Sequence, residues 1–161
     1  ADPFANTEST DNVSTALFGA RDATDLNWVQ LLNSYSCTEC GRCSSVCPAN
    51  QTGKLLSPRK VMMDTRDRIE DIGNNKNEGK FLLGDYISNE ELWACTTCNA
   101  CTDACPINLD PMSIIVDLRR YLVMEQSSAP TELNNMFSNI ENNGAPWQFP
   151  AADRLKWIEE Q

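Results

Sequence analysis

The sequence predicts an all-α protein, and three observations carry that prediction. Apolar residues recur at three- and four-residue steps along most of the chain. The periodic stretches come with their own helix start or stop signals. No alternating apolar run is long enough for a strand anywhere in the 161 residues.

Residues 1–24 are small and polar without a sustained period, which predicts a disordered leader. "DLNWVQLLNSY" then puts Leu26, Val29 and Leu32 beside Trp28, Leu31 and Tyr35 on one broad helical face, with Thr24 or Asp25 as N-cap. In "SPRKVMMDTRDRIEDIG", Ser57 is the expected N-cap, Pro58 the first helical residue and Gly73 the stop. Its apolar stripe is Val61, Met62, Ile69 and Ile72; Arg66, Asp67, Arg68, Glu70 and Asp71 are expected to face water. "NNKNEGK" (74–80) is a loop. Ser88 and Glu91 form a capping box ahead of Leu92 and Trp93. Asp110 and Pro111 open a further helix through "MSIIVDLRRYLVMEQ". "TELNNMFSNIENNG" and "ADRLKWIEE" are helices on either side of the turn-rich "GAPWQFP".

Composition narrows the function. A net charge of −10 with no histidine leaves nothing to neutralise nucleic-acid phosphates or anionic lipid. Mean hydropathy is −0.43, and apolar runs such as "SIIV" and "YLVM" fall far short of the ~20 residues that span a bilayer. The expected location is cytoplasmic, or the cytoplasmic face of a membrane through a partner or further segments. An acidic carrier favours a basic docking face on its partner.

All eight cysteines fall in two phrases, "CTECGRCSSVCP" from Cys37 and "CTTCNACTDACP" from Cys95. They lie 58 positions apart, each has an aromatic (Tyr35, Trp93) two places before it, and each is followed by a proline-started helix. This is the mark of a duplicated unit. C-x2-C-x2-C-x3-C-P is the bacterial-type signature for [4Fe–4S] clusters, in which the fourth cysteine ligates the other cluster. Three thiolates two residues apart wrap three corners of one cubane; the fourth has moved round the next turn and points away. Proline after it redirects the chain. The expected cofactors are therefore two [4Fe–4S] clusters. Cys37, Cys40, Cys43 and Cys105 hold the first; Cys95, Cys98, Cys101 and Cys47 hold the second.

Two other uses of eight cysteines compete. A disulfide framework would need bridges between thiols too close in sequence. A four-cysteine zinc site would leave the third cysteine of each triplet without a purpose. Small residues between the ligands (Thr38, Gly41, Ser44, Ser45; Thr96, Thr97, Ala100, Ala104) would let backbone N–H groups approach sulfur. Arg42 could offset cluster charge. Tyr35 and Trp93 could shield the clusters.

With these motifs in place the chain resembles the α-helical ferredoxin domain, more narrowly that of iron–sulfur oxidoreductases related to heterodisulfide reductase. The likeness rests on "WVQLLNSYSCTECGRCSSVCPANQTGKLLSPRKVMMD", "GDYISNEELWACTTCNACTDACPINLDPMSIIVDLRRYLV" and "NNGAPWQFPAADRLKW". It implies two pseudo-repeated cluster-binding loops joined by short helices: a dicluster domain at 25–126 and a C-terminal helical extension at 127–161. It also implies a module that passes single electrons between partners. Those partners would be a membrane or haem domain upstream, and a C-C-G cysteine-rich iron–sulfur or flavin subunit.

No catalytic residues are expected. There is no histidine, no cysteine outside the phrases and no glycine-rich phosphate loop. Whether the chain does bond chemistry stays open, with an electron-carrier part of an oxidoreductase as the leading expectation. The alternatives are a structural or assembly module whose clusters only staple the fold, and the zinc module.

Overall fold

The computed structural model describes residues 18–76 and 79–159. Among them the order is α1 (Trp28–Ser36), α2 (Arg42–Ser45), α3 (Pro48–Gln51), α4 (Pro58–Gly73), α5 (Asn89–Ala94), α6 (Ala100–Asp103), α7 (Pro111–Met124), α8 (Thr131–Asn143) and α9 (Lys156–Glu159). Single helical turns lie at Ala23–Asp25, Leu82–Tyr86 and Ala151–Leu155. No strand occurs among the described residues, so the protein is all-α as its periodicity predicts.

The long helices start where their capping chemistry says. Ser57 accepts from Lys60 N–H ahead of Pro58, and Asp110 accepts from Ser113 N–H ahead of Pro111. Proline fits the first helical position because its missing N–H would have no partner there. The Ser88–Glu91 capping box is formed in both directions. In α1 the cap is Asn27 rather than Thr24 or Asp25: its Oδ1 accepts from Val29 and Gln30 N–H at 3.0 Å.

One apolar core joins these pieces. Val61 and Met62 of α4 meet Ile114, Ile115, Leu118 and Leu122 of α7, with Leu82, Ile87 and Leu92. Cys47 is buried in this core, and Cys37, Cys95 and Cys105 pack against it. The cysteine loops are thus extensions of the hydrophobic centre.

Three expectations fail, all because polar groups found partners inside. Residues 1–17 of the expected leader lie outside the described residues, but Ala20, Asp22 and Ala23 within 18–24 are buried. Ala20 N–H donates to Asp117 C=O at 3.1 Å. Gly19, at φ +90°, lies so close to α7 that an added Cβ would meet Tyr121 N at 2.5 Å. Second, α1 is turned the other way. Gln30 and Ser34 are its buried residues, while Trp28 is 73% exposed and Val29, Leu32 and Tyr35 face outward. Gln30 Nε2 donates to Asp117 Oδ2 at 2.7 Å and Ser34 Oγ to Gln30 C=O at 2.9 Å, so the buried polar atoms are satisfied. Third, Arg68 is fully buried rather than solvated. Its Nε and Nη2 fork onto Asp22 at 2.8 and 2.6 Å, a bidentate pair. Asp22 also accepts from the N–H groups of Ala23 and Leu82. Burial pushes the Asp22 carboxyl up, but Arg68 and these backbone donors outweigh it and hold it below its ordinary value.

Candidate metal centre

The repeat seen in letters is also a repeat in backbone. Cys37 and Cys95 are each the first extended residue after a helix, with ψ 119° and 128°. Two positions on, Glu39 (φ 57°) and Thr97 (φ 53°) are left-handed; two further on, so are Gly41 (φ 82°) and Asn99 (φ 64°). Gly41 and Asn99 are the N-caps of α2 and α6, which carry Cys43 and Cys101. Glycine and asparagine are the residues that enter this region most readily. In the second loop Thr97 N–H lies 3.4 Å from Cys95 Sγ. Cys47 caps α3 ahead of Pro48, whereas Cys105 follows α6 in a turn.

Two cavities lie between the loops. The first, about 90 Å³, has Cys37, Cys40, Cys43, Cys101 and Cys105 in its wall. The second, about 20 Å³, has Cys47, Cys95, Cys98 and Cys101. Cys101 lines both, so the cavities adjoin. All eight cysteines are free thiols. Among the described residues, no three acidic or cysteine side chains come close enough to hold a single metal ion. A tetrahedral zinc site needs four sulfurs within ~2.3 Å of one point. Thiols spread around a cavity suit a larger, multi-iron group, so the donor set fits the clusters that the phrases imply.

The thiols are held in different states of readiness. Burial, helped by Cys37 and Cys40, pushes Cys43 up against opposing hydrogen bonds from Ser44. Burial also pushes Cys101 up to about 11. Cys98, exposed, is lowered by the N–H of Ala100 and by Thr96. Small residues beside the cysteines thus supply hydrogen bonds to sulfur, as their size suggests.

Other residues shape the site in ways the cysteine spacing did not disclose. Arg59, Met62, Ile107, Leu109 and Pro111 complete the first wall. Leu56, Pro58, Met112 and Ile115 complete the second. Their one sequence signal is the proline that starts each long helix, since Pro58 and Pro111 both line a cavity. Arg119 of α7 donates to Leu92 C=O at 3.0 Å and to Cys95 C=O at 2.6 Å, and lies 4.9 Å from the centre of the Trp93 ring. It pins the end of α5 where the second phrase begins. Trp93 packs against the core, whereas Tyr35 is half exposed.

An all-helical frame holding two adjoining cysteine-lined cavities defines an electron-transfer module with two [4Fe–4S] clusters. Residues 36–109 match the family model described as a 4Fe-4S dicluster domain. It is 32% identical over 179 aligned positions to the "Probable iron-sulfur-binding oxidoreductase FadF" of Bacillus subtilis, covering 89% of this chain and 25% of that protein. It is 31% identical to the "EtfAB:quinone oxidoreductase" of Syntrophomonas wolfei, over 99% of this chain and 26% of that protein. A third relative belongs to a CoB-CoM heterodisulfide reductase of Methanosarcina acetivorans, at 35% identity over 62% of this chain and 52% of that protein. The chain spans about a quarter of the length of the first two relatives. Among the described residues, no helix is long and apolar enough to cross a membrane.

Proposed function

We propose that this chain relays single electrons from a flavoprotein donor toward a quinone-side acceptor. In this reading Cys37, Cys40, Cys43 and Cys105 hold one cluster, and Cys95, Cys98, Cys101 and Cys47 hold the other. The observation that carries it is the pair of adjoining cavities with Cys101 in both walls. Crossed ligation is supported by the wall composition, where each fourth cysteine stands with the opposite triplet. The donor and acceptor classes are supported by the name of the Syntrophomonas relative. The division into a dicluster domain at 25–126 and a C-terminal extension at 127–161 is supported by α8, which has no buried residue.

When held by these thiolates, each cluster would supply one-electron chemistry with no bond made or broken. The chain's own residues do the rest. Thiolates fix the two sites side by side, Met62, Leu109, Leu56 and Ile115 exclude water, and Thr97 N–H faces the Cys95 sulfur. The test is anaerobic reconstitution followed by reduction with a reduced electron-transfer flavoprotein. Two reversibly reducible, magnetically coupled paramagnetic signals are the expected result. Redox silence across the accessible range would favour clusters that only staple the fold, a reading that draws on the packing of Cys37, Cys47, Cys95 and Cys105 with the core.

A further inference from the structure

The cysteine loops repeat, but the charges around them do not. Arg42 and Arg59 line the first cavity. Among the described residues, no Asp, Glu, Lys or Arg lines the second. The repeat makes the difference specific: 58 positions after Arg42 stands Ala100, and Met112 follows Pro111 as Arg59 follows Pro58. Met112 lines the second cavity where Arg59 lines the first. Arg59 Nη1 lies 4.0 Å from where a Cβ on Gly41 would stand, so its guanidinium reaches over the turn between Cys40 and Cys43.

The remaining charges do not cancel this. Glu39 also lines the first cavity, but Arg66 Nη2 neutralises it at 2.6 Å. Among the described residues no ion pair takes up Arg42 or Arg59. Near the second loop, Arg119 occupies the place in α7 that Arg66 holds in α4, and Lys54 lies by Glu90, Trp93 and Ala94, outside the cavity wall. Arg119 is committed to the carbonyls of Leu92 and Cys95 and is absent from the cavity wall. Among the described residues the first cavity wall therefore carries two cations without an ion-pair partner and the second wall carries none.

We infer that Arg42 and Arg59 bias the transferred electron toward the site at Cys37, Cys40 and Cys43. The inference rests on the two-site relay. A reduced site carries one more negative charge than an oxidised one, so a fixed cation at its wall favours the reduced form. Both arginines are exposed and water screens them. The bias is accordingly modest, about tenfold in how one electron divides between the sites, or ~59 mV for a one-electron couple. The electron comes from a chemical titrant such as dithionite, one per site, and no bond changes.

The test restores the symmetry. Arg42→Ala with Arg59→Met gives the first half the residues of the second, on the surface and away from the core. Potentiometric titration of the loaded protein, followed by paramagnetic resonance, reads both midpoints. The upper midpoint is expected to fall by the tenfold equivalent while the lower stays. The mirror variant, Met112→Arg, is expected to raise the lower midpoint instead. Unchanged midpoints in both variants, or equal movement of both sites, would overturn the bias. Iron content and the presence of two reducible signals in the unsubstituted protein test the relay separately.

Discussion

Cys47 and Asp22 show how single residues hold distant parts together. Cys47 stands in the wall of the second cavity, although its phrase belongs to the first. Cys47→Ser is expected to leave the signal of the Cys37 loop near native and disturb that of the Cys95 loop. Spectroscopy showing the opposite loss would end the crossed assignment. Asp22 faces a different partner, the fully buried Arg68. Asp22→Asn keeps the shape but removes the counter-charge that forks with that guanidinium, and is expected to destabilise by about 3–5 kcal/mol in denaturant melts. The same pair governs acid behaviour. Asp22 and Glu91 are both held below their ordinary values of 3.8 and 4.5. For Glu91, burial acts upward and the Ser88 N–H and Lys60 outweigh it. A depressed folded value means stability present above the unfolded value and lost as pH falls through the folded one. Stability should therefore decline from about pH 4.5 downward. Asp64, pushed up by burial against Lys60, gives part of that back. An acid melt of Asp22→Asn should be flatter than that of the unsubstituted chain over this range.

At the scale of elements, α1 departs most from its apolar pattern. An amphipathic helix usually turns its apolar stripe inward. In α1 the segment 18–26 already supplies Ala20, Ala23 and Leu26 to the interior, and α7 offers Asp117 as a partner for Gln30. The fully buried positions are therefore the polar Gln30 and Ser34, with Leu31 beside them against the core. Ser34→Leu should overpack it at about 1–3 kcal/mol, whereas Leu32→Ser, on the exposed face, should change stability by under ~0.5 kcal/mol. Thermal melts of the loaded protein compare the two directly. Equal effects would mean that α1 packs as its hydrophobic period suggests. By contrast α4, α5 and α7 start where their caps predict, because Ser57, Ser88 and Asp110 satisfy N–H groups within three residues. Capping is a local transaction, so tertiary context had little scope to override it.

Over the whole molecule, the core runs directly into the cysteine loops. Removing the clusters would release eight thiols into that junction. Anaerobic chelation is expected to abolish the cooperative thermal transition while leaving part of the far-ultraviolet helical signal. A sharp transition at similar temperature in the metal-free chain would show that the helices hold without it. The net charge of −10 acts at longer range. Electron transfer from a flavoprotein donor should slow as salt rises from low to physiological, where charges are screened within ~8 Å. Trp147, Phe149 and Trp157 are at least half exposed, rather than packed back on the module. A rate flat across the salt series would point to permanent assembly through such apolar surface.

What the sequence determined by itself was whatever depends on neighbours along the chain. Cysteine spacing, proline starts and capping residues all act within a few positions. From them the all-α class, the pair of cysteine loops and the cluster type follow. Tertiary structure decided what depends on partners far away in sequence. Arg68 reads as a solvated cation until Asp22, 46 positions earlier, is seen beside it. Gln30 reads as surface until Asp117 reaches it. Arg59 acquires a site only because α4 brings it over Gly41. Burial of a charge is decided by whether its counter-charge arrives, and periodicity along one helix carries no record of that.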